Sequence, residues 1–185
     1  DALRLGSEYL ATYVSLSPSY TLRLGNGELS FDGQWVDRHF KRDSDTGRSG
    51  QYSQLGLSYG RLYYGGRLAA QAGFSVFHES DRDDQFSNTG RELFAGARVR
   101  AWNNGDVFGR MAWRRANFED PPALYDVARI ETEKRAEVGV SHRFSAGYLD
   151  KWQLSGTLSY VDNNANLSLY DYVRTITTVT LGRVF

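Results

Sequence analysis

The chain has 185 residues, and its 22 Lys and Arg balance 22 Asp and Glu, so the formal net charge is zero. This balance leaves no basic surplus for nucleic acid, and we expect no nucleic-acid partner. The sequence has no cysteine, which excludes a disulfide framework and a thiolate metal site.

Mean hydropathy is low, at −0.52, and no run of 18 apolar residues occurs. The sequence therefore predicts no transmembrane helix. The sequence begins at Asp1 without the basic segment and the apolar segment of a signal peptide, so we expect no signal peptide within this numbering. A low mean does not argue against a membrane barrel, because only every second residue of its strands meets lipid.

Apolar and polar residues alternate with a period of two along most of the chain, which predicts strands. Each predicted strand has about 12–15 residues, longer than the usual soluble strand of about 5–6 and sufficient to cross a bilayer. A tenth strand is expected at 2–9, because single-chain barrels have even strand counts. The nine clear strands are 12–25, 28–41, 51–63, 67–79, 91–102, 107–118, 130–144, 151–162 and 171–185.

Short and long connections alternate between these strands. Outer-membrane barrels alternate in this way, with short periplasmic turns and longer extracellular loops. The short connections are 25–27, 64–66, 103–106 and 145–150, and the long polar ones are 42–50, 80–90, 119–128 and 163–170.

Charged and apolar side chains occupy opposite faces of the same strands. In 91–102, Leu93 and Val99 lie on one face, and Arg98 and Arg100 lie on the other. A soluble barrel would point the apolar face inward, whereas a membrane barrel points it at lipid and lines its lumen with the charges. The apolar faces are rich in Ala and Gly, which suits a lipid-facing wall better than a densely packed core.

These patterns predict an all-β fold: an antiparallel up-and-down transmembrane β-barrel of about ten strands, or part of a larger barrel. We expect one domain over 1–185, located in a bacterial outer membrane and surrounded by outer-membrane lipid. Three basic residues do not fit the lipid-facing positions that alternation assigns to them. They are Arg115, Lys134 and Arg183.

Aromatic residues concentrate toward the strand ends, as in the two girdles that flank the apolar band of a membrane barrel. Strict alternation puts Trp102 on the charged face of its strand. We assign the girdle near the short connections to Tyr63, Tyr64, Trp102, Phe108, Phe144, Tyr148 and Trp152, and the girdle near the long ones to Phe40, Phe77, Phe118 and Tyr172.

The charged faces predict a network in the lumen, with arginines of two strands facing glutamates of the next. In a barrel of about 8–10 strands such pairs would plug the interior. In a wider barrel, completed by further strands, they would form a charged eyelet that selects solutes. The predicted network consists of Arg98, Arg100, Arg110, Arg114, Glu131, Glu133, Arg135, Glu137 and Arg174.

The sequence ends on an alternating strand whose last residue is aromatic. Val179, Leu181 and Phe185 share a face, and this ending resembles the C-terminal assembly signal of outer-membrane barrels. The resemblance implies the barrel assembly machinery as a partner, which could pair with the free edge of the last strand.

The segment 152–185 resembles the closing hairpin of the surface lipoprotein assembly modifier family. The resemblance implies an export barrel for a surface lipoprotein, and related barrels export polymers. A small structural or binding barrel and a small-solute porin are the alternatives. The matching residues are Asp162, Asn163, Asn166, Tyr170, Asp171, Tyr172 and Arg174.

No catalytic motif occurs in the sequence: GxSxG, HExxH, the Walker loop and CxxC are all missing. His39, His78 and His142 lie on three strands without ligand spacing. We therefore expect no enzyme activity, no metal site and no cofactor.

Overall fold

A computed structural model of the chain describes residues 2–5 and 8–183. Its regular structure consists of strands and four short 3₁₀ turns. No helix in this part of the chain has the length and apolar character needed to cross a bilayer. The strands are β1 Ala2–Leu5, β2 Glu8–Leu16, β3 Ser19–Leu24, β4 Gly27–Phe40, β5 Gly50–Tyr63, β6 Leu68–Asp81, β7 Asn88–Trp102, β8 Gly105–Phe118, β9 Ile130–Arg143, β10 Trp152–Ala165 and β11 Tyr172–Arg183.

All the strands belong to one antiparallel sheet. Its order is β1-β2-β4-β5-β6-β7-β8-β9-β10-β11, and β3 also pairs with β4. The predicted all-β, up-and-down fold is therefore confirmed. Among the described residues β1 pairs with β2 and β11 pairs with β10, and these two outer strands are not paired with each other.

The N-terminal part of the sheet differs from the prediction. The predicted strand 12–25 is broken at Pro18 into β2 and β3, and both of these pair with β4. Proline has no N–H to donate to the ladder, but its carbonyl accepts a hydrogen bond of 2.8 Å from the Gly33 N–H. The extra strand expected at 2–9 is present as β1, but β1 ends at Leu5, and Glu8 already belongs to β2.

The connections alternate between the two ends of the sheet. We call one end the loop end, at 41–49, 82–87, 119–129 and 166–171, and the other the turn end, at 25–26, 64–67, 103–104 and 144–151. The connections at the loop end exceed those at the turn end by less than predicted, because β6, β7 and β10 continue into segments that were assigned to loops. Polar residues such as Asn163 remain in the ladder there, paired with Glu133 and Tyr172.

Burial on the two faces of the sheet is inverted relative to a water-soluble protein, because the apolar face is exposed and the polar face is sheltered. Leu55, Met111 and Val179 lie on the apolar face and are 70%, 69% and 72% exposed. Apart from glycines, the buried residues of the strands lie on the opposite, polar face, as Asp81 and Asn163 do. The sheet is concave on its polar face, since one opening on that face is lined from β3 to β8. This is the arrangement expected when the outer face meets lipid.

Candidate functional site

The register places all nine residues of the predicted lumen network on the polar face. Arg114, for example, lies directly between Glu92 of β7 and Glu133 of β9. Arg174 faces Val161 of β10, which in turn faces Arg135. The period of two therefore assigned the faces of these strands correctly, while the functional roles of the nine residues remain predictions.

The ion pairs within the predicted network differ from those expected. Arg98 Nη2 lies 2.6 Å from Asp106 Oδ2, and Arg135 Nη2 lies 2.7 Å from Glu133 Oε1 on the same strand. Glu137 instead accepts a hydrogen bond of 3.0 Å from Ser159. The arginine side chains of the two ion pairs are more than half exposed, so each pair contributes little to stability.

A sheltered cluster of charges lies at the loop end, in residues that the sequence analysis did not assign to the network. Arg38 of β4 binds Glu79 of β6, and its Nη2 also lies 2.8 Å from Asp81 Oδ1. The side chain of Asp81 is 4% exposed. Asn88 Nδ2 donates to the second oxygen of Glu79 at 2.8 Å. These contacts form a cluster that ties β4, β6 and β7 together.

Gly50 makes the Arg38–Asp81 contact possible. It lies on the polar face of β5, directly between Arg38 and Asp81 in the ladder. A Cβ at this position would overlap the carbonyl oxygen of Ser80 and would lie 2.5 Å from the Asp81 Cα. Because the middle strand has no side chain there, the guanidinium can reach across it.

A second sheltered arginine, Arg129, lies immediately before β9, at the end of the connection 119–129. Arg129 Nε is 3.2 Å from Glu131 Oε1, and the Arg129 side chain is 13% exposed. Its guanidinium carbon lies 3.6 Å from the centroid of the Phe118 ring and 4.1 Å from that of Tyr170. Two aromatic faces and one carboxylate therefore hold this cation in place.

Arg114 carries a charge that points into the space between these clusters. Its guanidinium carbon lies 4.1 Å from the centroid of the Phe77 ring. Its strand neighbours are Glu92 and Glu133, but no carboxylate among the described residues comes within ion-pairing distance. Within the described part of the chain, the positive charge of Arg114 is therefore not neutralised by an ion pair.

Together these groups surround a cleft of about 370 Å³ at the loop end, which we call the charged cleft. Its lining is balanced in charge, with four arginines and four carboxylates. Asn88 is buried in its wall, and Asn88 Oδ1 has no hydrogen-bond partner among the described residues. The charged lining consists of Arg38, Arg48, Arg114, Arg129, Glu79, Asp81, Glu131 and Glu133.

The long connections are hydrogen-bonded to one another at the entrance to the charged cleft. The Arg82 N–H donates to Ser49 O at 2.8 Å, and the Asp83 N–H donates to Gly47 O at 2.9 Å. The Glu119 N–H in turn donates to Ser87 O at 3.0 Å. The segments 41–49, 82–87 and 119–129 therefore form one connected rim.

The structure corrects part of the girdle prediction. A β-bulge between Arg100 and Trp102 turns Trp102 onto the apolar face, where its Nε1 donates to His142 Nδ1 at 3.0 Å. Phe108 instead lies on the polar face, across from Gly139 and Arg98, and so cannot belong to a lipid-facing girdle. The four aromatics assigned to the loop-end girdle also lie on the polar face: Phe40, Phe77, Phe118 and Tyr172.

The other predicted girdle residues lie at the turn end. Tyr63 and Trp152 are on the apolar face, and Phe144 packs edge-on against the His142 ring of that face at 4.8 Å. Tyr64 and Tyr148 lie in the 3₁₀ turns. Of the predicted assembly signal, Val179 and Leu181 lie on the apolar face of β11, while Phe185 lies outside the described residues.

Long antiparallel strands, an exposed apolar face and a charged, sheltered face define the class of fold, that of the outer-membrane β-barrels. Two solved structures are similar to this chain. The match to Pseudomonas aeruginosa OccK10 (OpdN) has a TM-score of 0.62 and 13% sequence identity, and it covers 95% of this chain and 54% of that chain. The match to Acinetobacter baumannii OccAB4 has a TM-score of 0.55 and 9% sequence identity, and it covers 94% of this chain and 47% of that chain. Both are porins, and this chain spans about half of their length.

No protein family and no curated protein matches the sequence. The resemblance to surface lipoprotein assembly modifiers therefore remains a prediction.

Proposed function

We propose that the chain forms a section of the wall of an outer-membrane channel, and that small charged solutes pass along its polar face. The observation that carries this proposal is the inverted burial of the sheet, with large apolar side chains exposed on one face and charges sheltered on the other. We further propose that the charged cleft is the selective section of the channel and that the chain catalyses no reaction.

The open edges of the sheet support a channel wider than this chain could enclose. Among the described residues β1 and β11 each have one unpaired edge, and the two similar porins are about twice as long. Further strands would satisfy these edges, which are otherwise exposed pairing sites. In the wider barrel the charges would line an eyelet instead of closing a plug.

Export of a lipoprotein or polymer remains the function implied by the sequence resemblance. No contact in the described part of the chain favours it over the passage of small solutes. The similarity to two porins favours the small-solute alternative.

The membrane placement predicts a large effect of a charge at Met111, in the middle of β8 on the apolar face. Met111→Arg should lower the free energy of unfolding in lipid vesicles by about 2–4 kcal/mol, because the guanidinium would face hydrocarbon. Urea titration followed by tryptophan fluorescence measures this change.

The matched control for this variant is Val127→Arg, at an exposed position in the connection 119–129. It should leave the free energy of unfolding within about 0.5 kcal/mol of wild type. Equal and small effects of the two substitutions would contradict the lipid-facing assignment.

Conductance in a planar bilayer tests the channel itself, with the complete barrel that contains this wall section and with folding first confirmed by heat-modifiable migration on a gel. We expect a stable current whose ion selectivity depends on Arg114. Arg114→Glu should shift the reversal potential toward cation preference, because it replaces the available positive charge in the charged cleft with a negative one.

Arg143→Glu provides the control for this measurement, because it makes the same change of charge on the polar face at the turn end. It should shift the reversal potential less than Arg114→Glu does. A folded, inserted complete barrel that carries no current would contradict the proposed function. Equal shifts would contradict the role of the charged cleft.

A further inference from the structure

Three basic side chains lie together on the apolar face at the loop end, and the solute pathway does not involve them. Arg91 of β7 is paired in register with Arg115 of β8. Lys134 of β9 is paired with Trp113, the preceding residue of β8 on the same face. All three cations are exposed. We call this group the basic patch.

The height of the basic patch matches one boundary of an apolar band. Between Gly105 and Arg115 the apolar face of β8 carries Val107, Gly109, Met111 and Trp113. The segment from Gly105 to Arg115 has about ten residues and spans about 33 Å along the strand. With the tilt usual in membrane barrels they reach a height of about 25 Å, which is that of a lipid-facing apolar band. The basic patch therefore lies where hydrocarbon gives way to headgroups.

Among the residues that the structure describes, no carboxylate neutralises the cations of the basic patch. Within the described part of the chain, none of the three forms an ion pair. Arg91 lies over the Trp113 ring, with 5.6 Å between the guanidinium carbon and the ring centroid. Asp162 faces Lys134 in the ladder, but its Oδ1 accepts a hydrogen bond of 3.0 Å from Asn164.

We propose that the basic patch binds the phosphate groups of anionic lipid headgroups in the leaflet at the loop end. Two arginines offer forked N–H donors that match phosphate oxygens, and the lysine adds a third positive charge. Trp113 lies beneath them, as amphipathic aromatics do at membrane interfaces. The inference rests on the proposed membrane placement, and it gives a role to Arg115 and Lys134, which do not fit a purely hydrocarbon-facing surface.

Retention of a defined anionic lipid tests this inference. The complete barrel that contains the chain is folded into phosphatidylcholine vesicles with a minor fraction of bis-phosphorylated lipid A and extracted in mild detergent, and bound lipid A is quantified by mass spectrometry. Combined Arg91→Gln, Arg115→Gln and Lys134→Gln should weaken lipid A binding by tenfold to about a hundredfold, since each cation near an anionic surface contributes about fivefold. Arg115→Gln alone should weaken it by about fivefold.

The matched control removes three exposed cations at the turn end, through Arg61→Gln, Arg67→Gln and Arg143→Gln. It should retain lipid A as wild type does. Lipid A without its phosphates should bind wild type and the triple variant equally, and excess inorganic phosphate should not displace the phosphorylated lipid.

Two kinds of failure are distinguishable. A complete barrel that does not insert into vesicles, as judged by heat-modifiable migration, would overturn the proposed function and this inference with it. A chain that inserts but retains lipid A equally in the patch and control variants would overturn this inference alone. Displacement by inorganic phosphate would also overturn it, because the patch would then bind a free anion.

Discussion

Arg38→Met will lower the free energy of unfolding by about 3–5 kcal/mol, because it leaves two sheltered carboxylates without their cation. Arg38 is the basic group that contacts both Glu79 and Asp81, and the Asp81 side chain is 4% exposed. Methionine keeps much of the length and apolar volume of the arginine stem. The decrease in the free energy of unfolding therefore measures the effect of removing the charge. Urea titration of the vesicle-bound protein measures it.

Two companion variants isolate the cause. Arg23→Met removes an arginine whose side chain is 87% exposed and paired with Glu28, so it should cost less than about 1 kcal/mol. Adding Glu79→Gln and Asp81→Asn to Arg38→Met should recover much of the loss, because the uncompensated charges are then gone. A loss that persists in this triple variant would show that packing, and not charge, is responsible.

The strand alternation predicted the two faces of the sheet because the period of two is a property of the extended backbone itself. Residues as distant in sequence as Arg98 and Arg174 were assigned to the same face, and the register confirms the assignment. The strands from β4 to β11 followed from the same periodicity. The prediction worked where nothing interrupted the regular ladder.

Local interruptions of the ladder account for the errors in the predicted elements. The bulge between Arg100 and Trp102 shifts the alternation by one residue, so Trp102 turned out to lie on the apolar face. Pro18 cannot donate a hydrogen bond and divides one predicted strand into two. Neither the bulge nor the pairing partners of β2 and β3 can be found from alternation alone.

The contacts of Arg38 with Glu79 and Asp81 could not be predicted because they join strands that are not neighbours. The sequence analysis paired arginines with glutamates of the adjacent strand, whereas Arg38 reaches from β4 to Asp81 of β6. Such a contact depends on the register of three strands and on the absence of a side chain in the middle one. The available hint was that Arg38, Gly50 and Asp81 all lie near the same end of their strands.

Gly50→Ala will lower the free energy of unfolding by about 3 kcal/mol, the upper part of the range for overpacking. A Cβ there would meet the backbone of β6, at Ser80 O and at the Asp81 Cα, and backbone in a paired strand cannot turn aside as a side chain can. Separating β5 from β6 at this point would also pull Asp81 away from Arg38. Both losses should appear in one urea titration.

Gly56→Ala is the matched control, since Gly56 lies on the same strand and the same face as Gly50. A Cβ at Gly56 would have its closest neighbour, Ser75 Cβ, at 3.6 Å, which is an ordinary contact. This substitution should therefore change the free energy of unfolding by less than about 1 kcal/mol, because alanine replaces glycine without strain.

In the Arg38→Met background Gly50→Ala should lower the free energy of unfolding by less than in wild type, because the ion pair that it disrupts is already gone. Equal costs in the two backgrounds would mean that Gly50 serves only the packing of β5 against β6.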